Sequence, residues 1–283
     1  MALKPMKELL ENAQQNSSAV AMFNVLSLEM LKGILSAAEA EKTPVILAMA
    51  EVHLPYGGLD LWAPILIREA ERASIPVAVH LDHGLNINVI EQALKLGFTS
   101  IMYDGSTLSY EENVANTKLV VELAKPYGAT IEAELGHVGG GEGGTEDDHE
   151  EMYTSPEQAV EFIKATGIDA LAVAIGTVHG VYKKKPQLDL ERLDEINKSV
   201  AHIPLVLHGG SGLSDADFLN CIDRGIAKIN ICTDLFHASI EGLNNGLQQG
   251  LSYPELCKQA EQYVYEAALR KIRLFQNNTI HQS

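Results

Sequence analysis

Three histidines stand beside glycines where apolar runs of the chain end: His83 in HLDHG, His179 in GTVHG and His208 in LVLHGGSG. A neutral imidazole is a good ligand for a divalent transition metal, and three of them leave a coordination position open for a substrate. The flanking glycines allow the backbone to approach a ligand closely. The sequence therefore predicts a metal centre held by three histidines.

Carboxylates occupy the same or neighbouring run ends. Asp82 directly precedes His83, while Asp104 and Glu134 end two further runs. On a regular strand Asp82 and His83 would point to opposite faces, but the alternation breaks where a strand turns into glycine. We therefore expect Asp82 to reach the site with His83. Asp104 and Glu134 are candidates for an outer shell or an alternative metal position.

Short apolar runs and amphipathic stretches alternate along the chain. The predicted strands are 19–25, 44–51, 76–83, 100–105, 130–136, 170–176, 204–210 and 227–233. The predicted helices are 28–42, 61–73, 86–97, 110–128, 155–167 and 190–200. This α/β pattern favours a single (β/α)8 TIM barrel domain over 1–283, with additional C-terminal helices beyond Tyr253. A doubly wound open sheet is the rival, disfavoured because no GxGxxG phosphate turn is present.

In such a barrel the carboxyl ends of all strands converge on one mouth. His83, His179 and His208 follow the third, sixth and seventh predicted strands, so one metal ion can meet all three. We interpret the other histidines, His53 and His80 among them, as structural or surface residues, and leave His137 open.

Two long segments, 136–154 and 177–188, are expected to be loops at strand ends, where barrel enzymes keep moving parts. Glu142 lies in GGGEGG, which predicts either a mobile loop that carries a carboxylate over the substrate or a plain surface loop. Lys183 offers a positive charge, although its run of three lysines can also be a solvated surface.

The last two predicted strands are followed by segments suited to phosphate. HGGSG (208–212) and NICTD (230–234) combine glycine backbone N–H groups with the hydroxyls of Ser211 and Thr233. Barrels frequently bind phosphate with the loops after strands seven and eight. A phosphorylated substrate is therefore predicted.

Composition limits the possible partners. The net charge of −17 argues against nucleic acid and anionic membranes, and an anionic substrate would need local positive features. No apolar run is long enough for a membrane span, and no signal peptide is evident. The odd count of three cysteines indicates a reduced, cytoplasmic protein. Apolar C-terminal helices and a basic stretch at 270–273 predict a homodimer or homotetramer.

Taken together, these segments resemble the class II, metal-dependent ketose-bisphosphate aldolases of the fructose- and tagatose-bisphosphate type. DH, EAELGHVGG, AVAIGTVHGVY, PLVLHGGSG and KIN-C-TD occur in the family's order over essentially the whole chain. The resemblance implies a lyase that reversibly cleaves a ketose 1-phosphate or 1,6-bisphosphate into dihydroxyacetone phosphate and an aldehyde.

The resemblance also implies a metal centre and three catalytic side chains. The family's zinc ligands correspond to His83, His179 and His208. Two further metal-contact positions of the family correspond to Asp104 and Glu134. Zinc would stabilise the enediolate as a Lewis acid. Asp82 would protonate the aldehyde oxygen, Glu142 would take the C3 proton, and Asn230 would hydrogen-bond the enediolate oxygen.

A pocket for dihydroxyacetone phosphate is implied as well, with a monovalent cation (Na⁺ or K⁺) as a further expected cofactor. Its matched positions are Gly180, Lys183, Gly209, Gly210, Ser211, Asn230, Ile231, Cys232 and Thr233.

The chain departs from the fructose pattern in the half that would meet the aldehyde. Cys232 replaces an aspartate, and Ala48 and Ala50 replace polar residues that meet the aldehyde's phosphate. The aldehyde is therefore expected to lack a phosphate, or to belong to a longer or oxidised sugar, as an alternative to the bisphosphate.

Two other classes compete with an aldolase. A zinc hydrolase would favour an H-x-H pair after the first strand, where the chain instead reads AMFNVLS. A catalytically silent sugar-phosphate binding or assembly subunit is opposed by the presence of Asp82 together with all three histidines.

Overall fold

The computed structural model of the chain describes residues 2–139, 152–180, 182, 186–200 and 202–276. Within them, eight parallel strands form one closed barrel, in which each strand pairs with the next and the last pairs with the first. The strands are β1 (Val20–Asn24), β2 (Val45–Ala50), β3 (Val77–Gly84), β4 (Ser100–Tyr103), β5 (Thr130–Leu135), β6 (Ala170–Val173), β7 (Leu205–Leu207) and β8 (Ile226–Ile231). The predicted barrel is confirmed, and its closure excludes the open sheet.

Helices surround the barrel and extend beyond it. They are α1 (Met6–Gln15), α2 (Leu28–Glu41), α3 (Leu59–Arg72), α4 (Ile87–Lys95), α5 (Tyr110–Ala124), α6 (Pro156–Thr166), α7 (Leu190–Ser199), α8 (Asp215–Ile222), α9 (Thr233–Gln248) and α10 (Tyr253–Phe275). Short 3₁₀ helices cover Glu51–Tyr56 and Lys125–Tyr127. The expected C-terminal helix is α10, which packs against α2 and α9.

Side-chain caps explain several helix boundaries. The Ser155 hydroxyl accepts the Gln158 N–H at the start of α6, as its Ser-Pro-Glu signal predicts, and Gly167 ends the helix at φ 73°. Ser109 and Ser214 form capping boxes at α5 and α8. Three helices, α1, α8 and α9, lie outside the predicted helical stretches.

The N-terminal helix closes one end of the barrel. Its apolar side chains, Met6, Leu9, Leu10 and Ala13, follow helical spacing and pack with the inward-facing Val20, Met22 and Ile46 of the first two strands. A second and larger core lies between the strands and the outer helices. With the amino end of the barrel sealed by apolar contacts, inward-facing polar side chains occupy the middle and the carboxyl end.

Candidate active site

Three imidazoles meet at the carboxyl end of the barrel. The ring centroid of His83 lies 4.6 Å from that of His208 and 4.9 Å from that of His179, and the last two are 5.8 Å apart. One ligand atom from each lies within 4.8 Å of the others. His83 lies near the end of β3, and His179 and His208 follow β6 and β7, so the convergence expected from strand position is present.

A local distortion of β3 turns two consecutive side chains toward the same mouth. His83 has a φ of 45°, in the left-handed region that non-glycine residues rarely adopt. The register of β3 against β4 also shifts between Leu81 and Gly84. Strand alternation therefore breaks at this point, and Asp82 and His83 both contact interior groups. Such strain is typical of functional sites.

Carboxylates orient two of the imidazoles. His83 Nδ1 lies 2.7 Å from Asp104 Oδ2, and His208 Nε2 lies 2.9 Å from Glu132 Oε1. An ionised carboxylate only accepts hydrogen bonds, so each of these nitrogens donates. The other nitrogens, His83 Nε2 and His208 Nδ1, then turn lone pairs toward each other at 2.8 Å. Only a cation, either a proton or a metal ion, makes that arrangement favourable.

The third histidine supplies an unpaired nitrogen. His179 Nε2 is buried and has no hydrogen-bond partner among the described residues. Burial holds the pKa of His179 well below its ordinary value, and the charges of His83 and His208 act in the same direction. A neutral, unpaired imidazole beside two oriented ones is the donor set that a divalent transition metal prefers, so these residues fit such an ion.

Two carboxylates form a second candidate metal group with His83. Asp104 and Glu134 each offer an oxygen within 4.8 Å of a nitrogen of that histidine. Glu134 Oε1 accepts the Val138 N–H at 3.0 Å, whereas its Oε2 is buried without a partner among the described residues. Burial, assisted by the charge of Asp104, raises the pKa of Glu134 to about 8. Glu134 is therefore a carboxyl that a nearby cation would ionise.

Asp82 is held by two amides. Asn24 Nδ2 donates to one carboxylate oxygen at 3.0 Å, and Asn230 Nδ2 donates to the other at 3.1 Å. Burial opposes ionisation, but the positive charges of His83 and Lys228 outweigh it and hold the pKa of Asp82 below its usual range. Asp82 is thus an ionised carboxylate, and sequence reasoning missed Asn24 as one of its two supports.

A further polar network lies one step deeper in the barrel. Lys228 Nζ donates to Glu132 Oε2 at 2.8 Å and lies 3.4 Å from His80 Nε2, while His80 Nδ1 lies 2.7 Å from Ser100 Oγ. Burial opposes ionisation of Glu132, yet Lys228 and the hydrogen bond with His208 hold its pKa at about 2. We call these four residues the lower layer. His80 is structural, as interpreted.

The alternation of side chains along a strand would have predicted three residues of the lower layer from the sequence. Glu132, Lys228 and His80 each precede a predicted site residue by two positions, and residues two apart on a strand share a face. The set that faces the mouth above them is the upper layer: Asn24, Asp82, Glu134, His179, His208 and Asn230. All of its members are buried or nearly so, His179 being the most open.

A small pocket opens beside the imidazoles at the ends of β6, β7 and β8. Its walls are His179, Gly180, Gly209, Gly210, Ser211, Asn230, Cys232 and Thr233. A Cβ on Gly209 would lie 2.5 Å from the Val178 carbonyl oxygen, so only glycine fits there. Ser211 Oγ accepts the N–H groups of Cys232 and Asp234 at 3.3 Å each, which leaves its own hydroxyl hydrogen free to donate.

The start of α9 adds to the anion-binding character of this pocket. Thr233 is the first residue of that helix, whose dipole favours a negative ligand at this end. Ile231, in contrast, packs its side chain into the outer core, so only its backbone is available to a ligand. The predicted residues Glu142 and Lys183 lie outside the described part of the chain.

The opposite side of the mouth contains the end of β2 and the 3₁₀ helix that follows it. Ala48 and Ala50 are fully buried, and Ala48 belongs to the inner apolar core. His53, interpreted as structural or surface, is buried in the 3₁₀ helix after β2, and the charges of Asp82 and His83 act on it. His137 lies outside the metal group, and its Nδ1 is 2.9 Å from Ser106 Oγ.

Comparison with known proteins agrees with this geometry. Residues 4–279 match the family profile "Fructose-bisphosphate aldolase class-II". The crystal structure of the YdjI aldolase from Escherichia coli K12 superposes with a TM-score of 0.88 at 38% identity, covering 96% of this chain and 97% of that one.

Two curated relatives carry aldolase names. A sulfofructosephosphate aldolase of Alkalicoccus urumqiensis is 38% identical over 95% of this chain and 95% of its own length. A fructose-bisphosphate aldolase of Staphylococcus aureus is 42% identical over 87% of each chain.

None of the helices in the described part of the chain is long and apolar enough to cross a membrane.

Proposed function

Because the chain belongs to the class II fructose-bisphosphate aldolase family, it is a carbon–carbon lyase that acts on a sugar phosphate, and we propose that it reversibly cleaves a ketose 1-phosphate or 1,6-bisphosphate into dihydroxyacetone phosphate and an aldehyde. The observation that carries the proposal is the pair of imidazole lone pairs facing each other beside an unpaired third imidazole and a doubly held aspartate. A binding-only protein would have no need of that aspartate.

The proposed resident metal is zinc, held by His83, His179 and His208. Bound there, it would supply a Lewis acid that stabilises negative charge on the substrate's enediolate. By their hydrogen bonds to His83 and His208, Asp104 and Glu132 would fix which nitrogen of each ring is left to hold the metal, as carboxylates commonly do for metal-bound histidines. Glu134 is proposed as a further metal-contact residue.

Asp82 is proposed as the proton carrier at the aldehyde end. Because its carboxylate is ionised and both oxygens accept amide hydrogen bonds, it is suited to take the hydroxyl proton as the carbon–carbon bond breaks. In the synthetic direction the same proton returns to the aldehyde oxygen. Asn230 is proposed to bond the enediolate oxygen, and Glu142 to take the C3 proton.

The small pocket is proposed to bind the phosphate of dihydroxyacetone phosphate. Its glycine backbone, the Ser211 hydroxyl and the α9 N-terminus are local positive features, which the net charge of −17 makes necessary. Gly180, Lys183, Gly209, Gly210, Cys232 and Thr233 complete the proposed contacts, and a sodium or potassium ion beside the phosphate is carried over from the family resemblance.

The finer substrate is also a proposal. The relatives named for fructose-bisphosphate and sulfofructosephosphate share the same ketose frame and differ in the group at the far end. An aldehyde without a phosphate, or one from a longer or oxidised sugar, is the alternative to a bisphosphate here. The two alanines near the mouth, Ala48 and Ala50, support that alternative.

A retro-aldol assay tests the proposal. Chelator-treated protein is incubated with a panel of ketose 1-phosphates and 1,6-bisphosphates, and dihydroxyacetone phosphate release is followed before and after zinc addition. We expect release that zinc restores, and we expect His208→Ala to lose zinc and activity together. No release from any substrate by zinc-loaded protein would overturn the aldolase proposal and favour a silent binding subunit.

Oligomeric state and location complete the proposal. Exposed Ile240, Leu243 and Leu247 lie on one face of α9 and support a homodimer or homotetramer, which light scattering would measure. The basic stretch at 270–273 supports an oligomer less than expected, because Lys271 pairs with Asp234 within the chain, as Arg273 does with a glutamate of α2.

The proposed cytoplasmic location is supported by the three cysteines, which are all free.

A further inference from the structure

A histidine unused by the proposed chemistry lies in the 3₁₀ helix that begins directly after Ala50, the residue that pairs with Asp82 across β2 and β3. His53 is 3% exposed, and its ring packs edge-on against Phe236 in the first turn of α9, with 5.7 Å between centroids. Neither ring nitrogen has a hydrogen-bond partner among the described residues. Burial lowers the pKa of His53, with the charge of Asp82 acting against it, so the ring is neutral.

A second buried group without a hydrogen-bond partner among the described residues lies directly at the Asp82 carboxylate. Asn24 Oδ1, from the end of β1, is also buried without a partner among the described residues, while the same amide donates to Asp82. Buried polar atoms are nearly always paired in native proteins, so an unpaired cluster indicates a ligand. Asn230, which lines the small pocket, holds one oxygen of Asp82, and Asn24 holds the other. We therefore assign the aldehyde portion of the substrate to the Asn24 side of Asp82.

The chemistry of this side excludes an anionic group as the preferred ligand. The strand ends and turns at 24–28, 48–58 and 82–86 contain no lysine or arginine. Glu51, in the same 3₁₀ helix as His53, accepts the N–H groups of Leu85 and Asn86 and adds negative charge to the rim. A neutral imidazole offers one donor and one acceptor, and the Asn24 carbonyl offers an acceptor, which together match a hydroxyl group.

We propose that His53 and Asn24 Oδ1 form a distal subsite that binds a hydroxyl of the aldehyde portion, so that the preferred aldehyde is hydroxylated and carries no phosphate. The subsite rests on the proposed function, because only an aldolase reaction places an aldehyde beside Asp82. His53 is then a specificity-determining residue, and its hydrogen bond replaces the phosphate contacts that Ala48 and Ala50 cannot make.

Aldol synthesis from dihydroxyacetone phosphate tests the subsite. Zinc-loaded protein is supplied with propionaldehyde, glyceraldehyde or glyceraldehyde 3-phosphate as acceptor, and kcat/KM is measured for each. The variant His53→Phe keeps an aromatic ring against Phe236 but removes both nitrogens, and His53→Gln restores a donor and an acceptor. His202→Phe, at an exposed position, is the matched control.

We expect the wild type to prefer glyceraldehyde over both other acceptors. His53→Phe should reduce the preference for glyceraldehyde over propionaldehyde by about 10- to 100-fold, the range typical for loss of a hydroxyl's partner, with the KM for dihydroxyacetone phosphate unchanged. His53→Gln should recover part of the preference, and His202→Phe should leave it intact.

A second measurement separates the two levels of the proposal. Zinc-dependent exchange of the C3 proton of dihydroxyacetone phosphate with deuterated solvent needs no aldehyde. If the protein exchanges the C3 proton but His53→Phe does not alter the acceptor preference, the distal subsite alone is overturned. A wild-type preference for glyceraldehyde 3-phosphate would have the same consequence. Absence of both exchange and cleavage overturns the proposed function and the subsite with it. A melting temperature for each variant excludes misfolding as the cause.

Discussion

The two polar layers inside the barrel differ in how completely their atoms are paired. In the lower layer, the side chains of His80, Ser100, Glu132 and Lys228 all have partners within hydrogen-bond reach. In the upper layer, four buried atoms have no hydrogen-bond partner among the described residues: Asn24 Oδ1, Glu134 Oε2, His179 Nε2 and Asn230 Oδ1. The layers are about one strand period apart, since β3, β5 and β8 each contribute a residue to both.

This difference separates the scaffold from the site. A fully paired buried network gives one rigid arrangement, whereas unpaired buried atoms are tolerated where a ligand completes them. Glu132 belongs to both functions, because it pairs with Lys228 below and orients His208 above. We therefore expect damage to the lower layer to reduce stability and damage to the upper layer to reduce ligand chemistry.

The largest stability loss is expected from Lys228→Met. It leaves the Glu132 carboxylate buried without its cation, which should lower the free energy of unfolding by about 3–5 kcal/mol. Urea unfolding of chelator-treated protein measures this change. Lys118→Met, at an exposed position, is the control and should stay within about 0.5 kcal/mol of wild type. A loss as small as the control's would remove the distinction between the layers.

Asp82→Asn, in the upper layer, should reduce activity rather than stability. The carboxylate can no longer take or return a proton, so kcat should fall by about 10²- to 10⁴-fold. The zinc content of the variant should be unchanged, because Asp82 belongs to neither candidate metal group of the described residues. Rate measurements with metal analysis check both halves, and loss of zinc from this variant would mean that Asp82 acts through the metal centre instead.

Asp104→Asn should weaken zinc binding without a large stability loss. The amide is a poorer acceptor for His83 Nδ1–H, and losses of such orienting carboxylates typically reduce metal affinity by about 10- to 100-fold. Competition with a zinc indicator gives the affinity. An affinity equal to wild type would show that His83 is oriented by the backbone strain of β3 alone.

At neutral pH the smallest effect is expected from His80→Gln, and this effect grows in acid. The pKa of His80 is about 3 in the folded protein, against 6.5 ordinarily, mainly because burial and then Lys228 disfavour its charged form. The unfolded chain binds a proton that the folded chain does not, so stability is lost as pH falls from 6.5 toward 3. The free energy of unfolding of the variant should depend less steeply on pH than that of the wild type, by up to about 1.4 kcal/mol per pH unit.

Unfolding titrations of chelator-treated protein at several pH values in this range measure that slope. Glutamine retains the hydrogen-bonding role toward Ser100, so the paired layer should stay folded at neutral pH. A slope equal to wild type would show that His80 is protonated in the folded state and that the lower layer is less well paired than its geometry indicates.

Much of the architecture could be predicted from the chain. The eight apolar runs became eight strands because parallel strands covered on both faces require continuous apolar sequence. Helix α6 starts and ends where its Ser-Pro signal and Gly167 predict. Helix α1 shows the helical spacing of buried residues, yet its role as a seal depends on contacts with strands far along the sequence.

By itself, the sequence determined the barrel and the three histidines at its mouth, because strand ends are local features and the fold brings all of them to one place. Only the tertiary structure decided which nitrogens of His83 and His208 face each other, that Asn24 supports Asp82, and that the ring nitrogens of His53 are buried without hydrogen-bond partners among the described residues. Those facts depend on barrel register and on the left-handed turn at His83, which join residues as far apart as 83 and 208. No local pattern encodes such contacts.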